Sequence, residues 1–125
     1  MQLEVSPAEV LDRWSILELK RANIQGQEAQ ASIRRQLDHL AALWSRAKLP
    51  SRDTIEPYAT LREVNAKLWA TEDALREHES RQEFDEGFIS LARSVYQLND
   101  ARSMAKRAIN DLLKFEQDEW KSYGG

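Results

Sequence analysis

The chain has no cysteine, only four glycines, three prolines and two histidines in 125 residues, and no long uninterrupted apolar run. Without cysteine, disulfides and thiolate metal sites are excluded. So little glycine and proline, beside 42% hydrophobic and 31% charged residues, describes a helical globular chain rather than a disordered or all-β one. Nowhere do about 18 apolar residues run together, and the opening MQLEVSPAEV lacks the basic and apolar regions of a secretory signal. No membrane segment is therefore expected, and a cytoplasmic location is the default. A net charge of -3 and a pI near 5.5 give no basic surface for phosphodiester backbones, so no nucleic-acid partner is expected either.

What is present is helical periodicity. Ser6-Pro7-Ala8-Glu9 reads as a capping box with proline in the first turn, flanked by Val5 and Val10 as a hydrophobic staple. A first helix over about 7–24 follows, with Val10, Trp14, Leu17 and Ile24 on one stripe and Ile16 and Leu19 pointing elsewhere. That surplus of apolar surface predicts a central helix or one at a subunit interface. A second helix over 27–48 carries Ile33, Leu37, Leu40, Ala41 and Trp44 inward and stops before Pro50. A third over 55–79 is capped by Asp53 or Thr54 and turns Leu61, Val64, Leu68 and Leu75 inward. Asp85 caps a fourth over 86–115, and residues 118–125 form a loose tail. The expected fold is all-α: a single domain, residues 1–125, built as an antiparallel bundle of about four helices.

On the fourth helix the apolar direction is set by Phe88, Leu91, Val95, Leu98, Ile109 and Leu113, and Arg102 and Lys106 fall within about 40° of it. Asn99 and Asn110 share that side. On the third helix Glu72 sits about 40° from the apolar direction, near Asn65 and Arg76. Buried charges require partners, so the simplest assembly pairs Glu72 with Arg102 or Lys106 across the seam between these helices. Arg21 is a further cation on the first helix. Two readings follow: a structural network that fixes register, or a pocket in which Arg102 and Lys106 hold a small anion and Trp69 and Tyr96 form aromatic walls.

Metal chemistry has little support. His39 and His78, both expected on the surface, fall in no Glu-x-x-His or His-x-x-x-His arrangement, and no cofactor motif or glycine-rich phosphate loop is present. No metal site and no cofactor are expected.

Three stretches, VSPAEVLDRWSILELKRANI, LREVNAKLWATEDALREHE and FDEGFISLARSVYQLNDARSMAKRAIN with the later KSY, resemble a family of short bacterial proteins of unknown function, some encoded near glycosyltransferases of cell-surface polysaccharide synthesis. The resemblance implies that Glu18, Lys20, Asn65, Trp69, Glu72, Asp73, Arg93, Tyr96, Asn99, Asp100, Arg102, Lys106, Arg107 and Asn110 belong to recurring motifs. It implies no reaction.

The expectation is a helical binding or interaction module, self-associating or bound to a protein partner through Ile16 and Leu19. Its ligand site would comprise Asn65, Trp69, Glu72, Tyr96, Asn99, Arg102, Lys106 and Asn110. The alternative is a small enzyme on a phosphorylated or nucleotide-sugar substrate, with Glu72 as base.

Overall fold

The computed structural model describes residues 5–115. These form four helices, α1 (Pro7–Asn23), α2 (Gln27–Arg46), α3 (Glu56–Arg81) and α4 (Glu86–Leu112), with a 3-10 turn at Arg52–Thr54. The all-α bundle is as the periodicity predicts. The tail over 118–125 and Trp120 lie outside the described residues.

Local chemistry fixes the ends. Ser6 Oγ accepts from the Glu9 amide at 3.2 Å and Pro7 opens α1. Only half of the capping box forms, because the Glu9 carboxylate reaches Lys106 instead. Gly26 holds φ at 114° between α1 and α2, a conformation that a Cβ disfavours. Gly26→Ala is expected to cost about 1–3 kcal/mol through backbone strain, since nothing within 4 Å would clash with the methyl. A urea midpoint equal to wild type would sink that assignment.

The third helix starts without a side-chain cap at Ile55. Thr54 is diverted: its hydroxyl donates to the Ser51 carbonyl at 2.6 Å within the 3-10 turn, so neither it nor Asp53 caps α3. Helix α3 runs past Glu79 to Arg81 and ends with Gln82 in the left-handed conformation, φ 52°. Asp85 caps α4 as expected, accepting from the Phe88 amide at 3.0 Å.

Helices α3 and α4 form a long antiparallel hairpin, and α1 lies against its base, touching α2 on another side. The core gathers Leu11, Trp14 and Leu17 of α1, Ile33, Leu37, Leu40 and Trp44 of α2, and Tyr58, Leu61, Ala105 and Ile109 of the hairpin. The first helix lies at the bundle centre, in contact with α2, α3 and α4. Ile24 and Ala41, assigned inward from periodicity, are exposed, and Leu75 is half-buried.

The hairpin outruns its support. With 17 residues α1 is about 26 Å long, against about 39 Å for the 26 residues of α3. All buried residues of α3 lie between Tyr58 and Leu68, and those of α4 are Ala105 and Ile109. The intervening arm is held by a half-open seam of Leu75, Phe88, Leu91, Val95 and Leu98.

Candidate functional site

Small side chains at Ala8 and Ser15 bring the hairpin close to α1 and bury Asp12 between them, 4% exposed. A lone carboxylate there would be costly, so its partners decide the site. Arg102 grips it in bidentate fashion, Nε to Oδ1 at 2.9 Å and Nη2 to Oδ2 at 2.5 Å. Asn65 donates through Nδ2 to Asp12 Oδ1 at 2.9 Å and to Ser15 Oγ at 2.7 Å, and the Ser15 hydroxyl donates to the Asp12 carbonyl at 2.9 Å. Lys106 Nζ lies 2.6 Å from Glu9 Oε1 and 4.0 Å from Asp12 Oδ2. Asn110 accepts from the Ala8 amide at 3.0 Å, satisfying one of the amides that a helix start leaves free.

Burial alone would raise the Asp12 pKa. Hydrogen bonds from Arg102 and Asn65, with the charges of Arg102 and Lys106, outweigh it and hold the carboxyl below its ordinary value. The hydrogen bond to Asp12 correspondingly raises Arg102. Two carboxylates therefore answer two cations, and the network is charge-neutral. No buried side-chain nitrogen or oxygen among the described residues lacks a hydrogen-bond partner.

The partner of Arg102 and Lys106 is thus the Asp12 and Glu9 pair, not Glu72. Glu72 points instead into a groove of about 340 Å³ lined by Ile16, Leu19, Asn65, Leu68, Trp69, Arg76 and Arg102. The Arg102 side chain is 30% exposed, and its outer edge lines the same groove. Of the eight ligand-site residues expected from sequence, Asn65, Arg102, Lys106 and Asn110 converge on the N-terminal half of α1. Trp69 and Glu72 line the groove with Asn65 and Arg102. Asn99 is exposed, and Tyr96, 60% exposed, faces away from the cluster. Ile16 and Leu19, expected at an interface, are half-buried walls of the same groove. Arg21 is exposed.

Glu9 is expected from sequence only as part of the capping box, and Asp12 and Ser15 have no place in the expected site. Their signal is the run Ala8, Asp12, Ser15 at helical spacing, a stripe of small and polar residues beside the apolar one.

A second polar bridge ties α1 to the 3-10 turn. Arg52 stacks 4.0 Å over the Trp14 ring, with Nη1 2.9 Å from Glu18 Oε1 and 3.3 Å from the Tyr58 hydroxyl. Burial pushes the Tyr58 hydroxyl up, against the opposing pull of Arg52.

At the far end of the hairpin His78, Glu83 and Asp85 come together. Contrary to the surface position expected for it, His78 is half-buried and packs on Phe88, ring centroids 6.1 Å apart. Its Nδ1 sits 3.0 Å from the Glu83 carbonyl, and Asp85 is engaged as the cap of α4. These contacts close the turn.

Among the described residues no helix is long and apolar enough to cross a membrane. No curated protein and no solved structure matches the chain. A family model matches residues 1–123, and the chain belongs to that family, the family of unknown function DUF6165.

Proposed function

We propose that the protein is a self-associating helical binding module whose groove between α1 and α3 receives a small amphipathic anion. The groove carries this reading: Ile16, Leu19, Leu68 and Trp69 offer an apolar bed, and Arg76 and the outward edge of Arg102 stand over it. The anionic group meets these guanidinium edges, and a ring or chain packs on Trp69. The neutral network behind contributes rigidity, holding Arg102 in one orientation so that little side-chain entropy is lost on binding. Glu72, beside the cations, selects against ligands whose charge extends along the groove. A phosphorylated sugar or nucleotide-sugar of bacterial surface polysaccharide metabolism has this combination of ring and phosphate.

Arg76 separates binding from folding. Its only ion pair among the described residues is a surface contact with Asp73, so Arg76→Met leaves stability within about 0.5 kcal/mol. Wild type titrated with phenyl phosphate and with UDP-glucose should show a rising unfolding temperature, roughly with the logarithm of concentration, and the variant a much smaller rise. No shift at millimolar concentrations of either compound, or an equal shift in Arg76→Met, would overturn the groove reading.

A further inference from the structure

The outward face of α4 carries Glu86, Arg93, Asp100 and Arg107 at strict seven-residue spacing, with Ile89, Tyr96 and Met104 beside them. All seven are exposed, and the apolar ones are 48%, 60% and 69% exposed respectively. At about 100° per residue they occupy one side of the helix, turned away from the seam with α3.

The order of charges along this face is self-complementary. In an antiparallel helix pair two residues lie level when their numbers add to a constant. Taking 193, Glu86 meets Arg107, Arg93 meets Asp100, and Ile89 meets Met104 of the second chain, each pair occurring twice about a two-fold axis between Tyr96 and Gln97. Four opposite-charge pairs and two apolar pairs fall into register at once. Moving the register by one heptad sets Arg93 against Arg107, or Glu86 against Asp100. A parallel pair sets each charge against itself.

The geometry points to this face of α4 as a two-fold homodimer interface, with a second copy of the chain lying antiparallel along about 30 Å of helix. The seven-residue repeat, with charged and apolar positions alternating by three and four, is the pattern by which helices choose a partner and an orientation. The occupant is specified by the match of the strip to its own reversal, which a foreign partner would not require. This assignment rests on the self-associating half of the function proposed above, but not on the groove, since no residue of the strip lines it.

The absence of cysteine makes the test direct. In Ile89→Cys/Met104→Cys, oxidation should link two chains covalently through the 89 to 104 pair, while Ile89→Cys alone, whose two copies lie about 22 Å apart in this register, should link poorly. Sedimentation equilibrium of wild type should give twice the chain mass of 14.5 kDa. Asp100→Arg should weaken the dimer about tenfold or more, and Arg93→Asp/Asp100→Arg should restore it. A wild-type dimer without the 89 to 104 link, or one indifferent to Asp100→Arg, overturns the strip while leaving self-association standing. A wild-type monomer at about 100 μM overturns both.

Discussion

Asp12→Ala is expected to destabilise the fold by about 3 kcal/mol, the lower end of what breaking a buried ion pair costs. The loss exceeds that of the carboxylate's own bonds because of what stays behind. Arg102 keeps its charge beside α1, Lys106 retains only Glu9 among the described residues, and Asn65 loses one of its two acceptors. The value sits at the low end because the Arg102 side chain is 30% exposed and can turn toward water. Asp12→Leu/Arg102→Met, which removes both charges and keeps the volume, should recover a large part of the loss. Equilibrium urea unfolding measures all three proteins. If Asp12→Ala unfolds with the wild-type midpoint, the carboxylate is not buried among these partners.

The same residue sets an acid limb. Its folded pKa lies below the ordinary carboxylate value of 3.8, so its contribution is complete above that value and is lost as the pH falls through the lower folded value. Asp12→Asn should therefore be less stable than wild type at neutral pH and approach it in strong acid. A constant gap between the two across pH 2–7 would contradict the assignment.

The inward faces of α2 and α3 were legible because each carries a single continuous apolar stripe: Ile33, Leu37, Leu40 and Trp44, then Leu61, Val64 and Leu68, are buried as periodicity predicts. Periodicity failed at Leu75 for a reason of length. A stripe is buried only where another helix reaches it, and α1 is about 13 Å shorter than α3. It failed differently at Asp12. On a helix packed on several sides the hydrophobic direction is poorly defined, so a polar residue at the contact with the hairpin falls outside the apolar stripe and is marked only by its helical spacing from Ala8 and Ser15. Arg102 and Lys106 were placed correctly on the inward side of their helix, yet angle alone does not choose between Glu72 on α3 and Asp12 on α1. That choice depends on which helix lies level with them, and the α3 hairpin partner presents Glu72 to a groove instead.

Trp14→Ala is expected to cost about 3–5 kcal/mol, the largest loss from any single side chain considered. Two effects combine. Trp14 is 9% exposed within the core that joins α1 to α2 and to the hairpin base, so truncation opens a cavity at the one helix every other helix packs against. It also removes the surface on which Arg52 stacks at 4.0 Å, and that guanidinium is what brings Glu18 of α1 to Tyr58 of α3. Arg52→Met separates the two, since it keeps an apolar stem over the ring and forfeits the cation and both hydrogen bonds, for about 1–2 kcal/mol. In the double variant the losses should sum to less than the two taken singly, because the stack can be lost only once. Strict additivity in that cycle would mean that Arg52 and the indole do not interact. A cost below about 0.5 kcal/mol for Trp14→Ala would mean that α1 is not at the centre of the bundle.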